Sequence, residues 1–125
     1  MESLVDSSVW ISFLNGYDTS LDDLIPKNKA VTNEVIMMEL VPFFHALKNR
    51  YSLDLVKGAK LVPLKIDWDH LSELRVKNLQ NGINKVGIPD LLILQQALQN
   101  KLPICTLDKH FKLMQEIFDF ELIEG

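Results

Sequence analysis

Short apolar runs alternate with longer amphipathic ones along this chain, which predicts strands and helices in turn. Leu4-Val5 is a short apolar run ending at Asp6-Ser7-Ser8, and residues 9–14 then read as a helix stopped by Asn15-Gly16, with Ser7 or Ser8 as its cap. Residues 19–25 predict a short helix before Pro26, and Ala30-Val31-Thr32 a second strand. Residues 34–49 are densely apolar and helical, with Pro42 expected to kink them. A short helix is expected at 52–59, and a strand at 61–66 that Pro63 demotes toward an edge. Trp68, Leu71, Leu74 and Leu79 recur at helical spacing within 67–81, and a loop follows over 82–87. Pro89 opens a helix over 90–100, residues 102–105 read as a strand, 108–118 as a helix, and 121–123 as a last strand.

Strands alternating with helices imply an α/β fold, a mainly parallel central sheet flanked by helices on both faces. The pattern leaves strand order open. Length adds that 125 residues make one domain, 1–125, with enough core to need no staple. The single cysteine, Cys105, sits in an apolar stretch and reads as a buried strand thiol. The start lacks a signal-peptide pattern and no apolar run approaches the roughly 20 residues of a membrane span. A soluble protein of a reducing cytoplasm is expected, with no membrane partner.

Charge sharpens the picture. With 13 Lys and Arg against 17 Asp and Glu, the net charge is -4, so no general basic surface grips nucleic acid. Any phosphate must be brought in by bound cations and a local basic rim.

The candidate chemistry is acidic. Ligands of open parallel sheets bind beyond the carboxyl ends of the strands. Asp6 ends the first strand, Asp108 follows the 102–105 strand, and Asp90 stands at the start of a helix. Glu39 lies in the apolar run Val35-Ile36-Met37-Met38-Glu39-Leu40-Val41, so partial burial is expected, and a buried charge needs a partner or a metal. Each acid alone also fits a structural role as a helix cap or a dipole partner. Together they form an oxygen-only set that suits Mg²⁺ or Mn²⁺, and such ions activate water against a phosphodiester. Lys109 and His110 beside Asp108, and Lys85 before Asp90, are candidate phosphate contacts, with Arg75 and Lys77 on the preceding helix. His45, His70 and His110 lack metal-ligand spacing, which argues against zinc, and Trp10, Trp68 and Phe111 are expected in the core.

These residues resemble a known family. Val5-Asp6-Ser7-Ser8-Val9-Trp10-Ile11, Glu39-Leu40, Gly87-Ile88-Pro89-Asp90-Leu91-Leu92-Ile93 with Ala97, and Thr106-Leu107-Asp108-Lys109-His110-Phe111 are similar, in order and spacing, to the motifs of PIN-domain ribonucleases. In length and motif order the chain resembles the VapC toxins of VapBC toxin–antitoxin pairs. The resemblance implies a PIN-like fold in which Asp6, Glu39, Asp90 and Asp108 hold Mg²⁺ or Mn²⁺ and Ser8 and Thr106 orient carboxylates or bound water. It implies an endoribonuclease that leaves 3′-hydroxyl and 5′-phosphate ends, a homodimer, and a cognate antitoxin that fills the cleft with basic residues. The chain departs from the family's pattern at Ile93-Leu94-Gln95-Gln96-Ala97, where Ile-Ala-Ala and another alanine are common, and at Val41-Pro42-Phe43-Phe44, where a glycine is common. These departures bear on helix packing and dimer geometry. A catalytically silent PIN-like module binding RNA or protein, and a metal-dependent phosphatase, are the alternative readings. A receiver-like signalling module lacks its paired acids, since Ser7-Ser8 follows Asp6.

Overall fold

The computed structural model describes residues 1–125. Its elements are β1 (Ser3–Val5), α1 (Ser7–Leu14), α2 (Leu21–Leu24), β2 (Ala30–Thr32), α3 (Glu34–Ala46), α4 (Arg50–Lys57), β3 (Lys60–Leu61), α5 (Trp68–Gln80), α6 (Ile88–Asn100), β4 (Ile104–Thr106), α7 (Lys109–Met114) and β5 (Leu122–Glu124). The five strands form one sheet in the order β3-β2-β1-β4-β5, and every pairing is parallel. The chain winds outward from β1 through β2 to β3, then returns to place β4 on the other side of β1. The winding therefore reverses between β1 and β4, and in parallel sheets a crevice opens at that reversal. Leu4, Val5, Val31, Ile104 and Cys105 are fully buried in the three central strands, as strands covered on both faces must be.

Several boundaries differ from the sequence expectation for physical reasons. The cap of α1 is Asp6, not a serine: its extended backbone lets the carboxylate accept the Ser7 N–H at 2.7 Å. Pro42 lies inside α3, which runs on to Ala46; it sits on the exposed side of the helix, one turn after exposed Met38, whose carbonyl it cannot bond. The expected strand over 61–66 keeps only its first rung beside β2, because Pro63 has no N–H to offer a ladder. β4 ends at Thr106, one residue beyond the expected end. Trp68 is 65% exposed: the helical period gives spacing, but the face of α5 turned to the core is that of Leu71, Leu74 and Asn78.

The segment between β3 and α5 is held from below by α6. Gln96 donates to the Val62 carbonyl at 2.8 Å and the Pro63 carbonyl at 3.3 Å, and Gln99 to the Lys65 carbonyl at 2.9 Å. Gln95 accepts the Asp67 N–H at 3.1 Å and donates to the Asp67 carbonyl at 2.9 Å. Gln96 also accepts from the Asn33 amide at 2.8 Å, and Asn33 caps α3 through the Ile36 N–H at 2.9 Å. Gln95, Gln96 and Asn33 are all buried. Within the stretch that departs from the family pattern, Gln96 thus stands in for a missing strand ladder and ties α6 to the start of α3, while Gln95 holds the start of α5.

Candidate active site

The reversal point between β1 and β4 carries the acids. β1 delivers Asp6, whose N–H bonds the Cys105 carbonyl of β4 at 2.9 Å. Asp6 is 5% exposed, and a buried carboxylate requires donors. It has them: besides the Ser7 N–H, the Ser8 hydroxyl donates at 3.0 Å and the Thr106 hydroxyl at 2.8 Å. Both hydroxyls also accept amides from the turn after β4, Ser8 from Leu107 at 3.2 Å and Thr106 from Asp108 at 2.9 Å. Two short side chains therefore clasp the Asp6 carboxylate to the turn that bears Asp108. Ser7 extends the group, its hydroxyl lying 3.4 Å from oxygens of both Asp6 and Glu39. Sequence reasoning passed over Ser7, whose place one residue past a capping Asp was the available signal.

Glu39 reaches the group from α3. It is exposed rather than partly buried, because the apolar face of α3 is set by Ile36, Leu40 and Phe44 and leaves Met38 and Glu39 outward. Desolvation still raises its pKa, the neighbouring charges of Asp6 and Asp90 raise it further, and the Ser7 hydroxyl opposes them. Asp90 stands in the first turn of α6, half-buried. Burial first, then the charges of Asp108 and Asp6, push its pKa up to about 6, with His110 acting the other way. Asp108 caps α7, accepting the His110 N–H at 2.9 Å. The structure brings Asp6, Glu39, Asp90 and Asp108 together as mutually repelling neighbours.

The residues meant for phosphate contact divide. Lys109 and Lys85 are exposed and make no ion pair, whereas Arg75 donates to the Val86 carbonyl at 2.8 Å and Lys77 lies over the Phe118 ring at 5.7 Å. Arg75 and Lys77 are thus occupied in holding α5 to its neighbours. The His110 imidazole is turned back onto the acids, with Nδ1 3.0 Å from Asp108 Oδ1. Sequence spacing did not group it with them, since a histidine two residues past an aspartate shows no ligand pattern until the helix turn brings it round. Cys105 is buried in β4 and burial raises its pKa to about 11, so its thiol is neutral and packs as an apolar group.

No lysine or arginine pairs with any of the four acids. Oxygen donors crowded without a cationic side chain fit a hard divalent ion, and one ligand atom each from Asp90, Asp108 and His110 lies within 4.8 Å of the others. The donor set fits a divalent cation. No helix is long and apolar enough to cross a membrane.

Comparison with known proteins places the family and the fold. The profile of the PIN domain matches residues 3–117. No curated protein sequence matches the chain. Its fold is similar to that of VapBC2 from Rickettsia felis bound to a DNA fragment from their promoter, with a TM-score of 0.80, 18% identity, and coverage of 100% of this chain and 99% of that one. It is also similar to VapBC-5 from Mycobacterium tuberculosis, a member of the VapBC family of toxin–antitoxin systems, with a TM-score of 0.76, 24% identity, and coverage of 99% and 98%. PAE2754 from Pyrobaculum aerophilum aligns with a TM-score of 0.64 and 16% identity over 98% of this chain and 90% of that one.

Proposed function

Because the chain belongs to the PIN domain family, we propose that it is a divalent-metal-dependent endoribonuclease and the toxin of a type II toxin–antitoxin pair. The observation that carries this reading is the meeting of Asp6, Glu39, Asp90 and Asp108 at the β1–β4 reversal without a lysine or arginine to neutralise them. Such a cluster is stable when a cation is bound, and its affinity for Mg²⁺ or Mn²⁺ follows from its carboxylate oxygens. The bound ion supplies the polarisation of a phosphodiester and the acidification of the attacking water.

The chain's own residues do the rest. Ser8 and Thr106 fix the Asp6 carboxylate in one orientation, so its oxygens meet an ion without reorganising. Glu39, the solvent-facing member, orients the attacking water and takes its proton. Lys109, next to Asp108, and Lys85, in the loop before Asp90, are exposed and receive the phosphates on either side of the scissile bond, which compensates for the acidic net charge. Attack by water on phosphorus leaves 3′-hydroxyl and 5′-phosphate ends. The toxin reading draws on the fold shared with VapBC toxin–antitoxin complexes, and an antitoxin with basic residues complements the acid cluster electrostatically. A homodimer acting in the cytoplasm completes the proposal.

The test is cleavage of an RNA oligonucleotide with and without Mg²⁺ or Mn²⁺, beside a small phosphomonoester. Metal-dependent RNA cleavage lost in Asp6→Asn and in Asp90→Asn is expected, with the monoester untouched. Cleavage retained in both variants would falsify the site assignment. Metal-dependent RNA binding without cleavage would make the protein a silent binding module instead.

A further inference from the structure

The first turn of α7 folds back on itself. Asp108 Oδ1 accepts the His110 N–H at 2.9 Å, which swings residue 110 toward the acids, and His110 Nδ1 lies 3.0 Å from the same oxygen. The second oxygen of Asp108 and both oxygens of Asp90 take no hydrogen bond from the protein. The Asp108 and His110 side chains are 31% and 36% exposed, so an ion from solvent can reach them. One ring nitrogen of His110 and one oxygen each of Asp90 and Asp108 lie within 4.8 Å of one another. Adjacent ligands of an octahedral ion bound at about 2.1 Å stand about 3.0 Å apart, and opposite ones about 4.2 Å. A spread of at most 4.8 Å is a little wider than that span, so side-chain rotations of a few tenths of an ångström bring the three atoms onto one ion.

We propose that His110 is a direct nitrogen ligand of the cation held by Asp90 and Asp108, and that it shifts the preference of the site from Mg²⁺ toward transition-metal ions such as Mn²⁺. The inference rests on the metal-dependent reading of the acid cluster and adds a second kind of donor to it. The physical reason is ligand chemistry. Mg²⁺ keeps its waters and takes oxygen, whereas an imidazole nitrogen binds first-row transition ions more strongly, with affinity rising along the series from Mn²⁺. His110 is thus a ligand, and its contact with Asp108 sets the two donors side by side.

Mn²⁺ is the probe, on the full chain. Pulsed electron paramagnetic resonance of the Mn²⁺-loaded wild type is expected to show hyperfine coupling to a directly bound nitrogen, and His110→Gln to lose it. Calorimetry is expected to show Mn²⁺ binding weakened on the order of tenfold in His110→Gln. Mg²⁺ binding should stay within about twofold of wild type, since Mg²⁺ is held through oxygen. Bound Mn²⁺ without nitrogen coupling, or equal weakening of both ions, overturns the ligand role of His110 while the acid cluster stands. Failure of the wild type to bind either ion overturns the metal reading itself. The wild-type spectrum needs no variant, so a fold change in His110→Gln does not blunt the test.

Discussion

Replacing Gln96 by methionine tests how the acids are held in register. Methionine keeps the length and nearly the volume of glutamine but offers neither its donor nor its acceptor, so the core is not hollowed. Gln96 is 1% exposed and the Asn33 amide it receives is fully buried, so the lost bond leaves a donor with no water to turn to. An unsatisfied buried group of this kind costs about 1–3 kcal/mol. The Val62 carbonyl, half-buried, loses a 2.8 Å bond but can rehydrate, which adds a smaller amount. A total near ~2–3 kcal/mol follows, and with an unfolding entropy of about 2.1 cal/mol/K per residue this lowers Tm by roughly 8–12 °C. Thermal and urea unfolding of Gln96→Met and Gln99→Met measure it. Gln99 is exposed and bonds only the Lys65 carbonyl, so its variant should stay within about 0.5 kcal/mol of wild type. Equal stability of the two variants would refute the bracing role. Because Asn33 also caps the helix that bears Glu39, Gln96→Met should weaken Mn²⁺ binding as well, and Gln99→Met should not.

Two further outcomes follow from the acids and the clasp. Asp90 titrates near 6 in the folded chain against 3.8 for an ordinary aspartate, so between these values the folded state binds more protons than the unfolded one. Metal-free stability should therefore fall as pH rises through that window and stay low above it. Metal-free Asp90→Asn should melt higher than wild type at pH 7 and match it below pH 4, and saturating Mn²⁺ should reverse the order at pH 7; calorimetric scans across pH with chelator check this. Thr106→Val keeps the strand's shape but removes a donor to buried Asp6 and the acceptor of the Asp108 N–H, and should cost about 2 kcal/mol in denaturant unfolding. Mn²⁺ affinity should fall with it, and unchanged affinity would show that the hydroxyl does not orient the carboxylate.

Much of this was legible in the sequence because its signals are local. Apolar runs ending in Asp6 and shortly before Asp108 mark strand ends, and Pro89 marks the opening of α6, so three of the acids could be placed at one edge before any coordinates. Glu39 could be placed on a helix, but its exposure depended on which face of α3 met the core. The same ambiguity misled for Trp68, whose spacing with Leu71 and Leu74 gives a period without a phase. Tertiary partners were out of reach. Gln95 and Gln96 stand in an apolar helix, and nothing nearby announces that the carbonyls of Val62, Pro63 and Asp67 are theirs. His110 could be placed beside Asp108 as a phosphate contact, but not its turn back onto that carboxylate, which depends on a turn closed by its own backbone amide.

The hydrogen bond from Thr106 to Asp6 joins residues 100 positions apart, on strands that lie side by side. A growing polypeptide makes Asp6 well before Thr106 and cannot seat it until the fourth strand has left the ribosome. Every shorter intermediate lacks both the hydroxyl that orients that carboxylate and the aspartate beyond it. The acid cluster therefore assembles late in synthesis and all together, and a message cut short of β4 yields a fragment in which it cannot form.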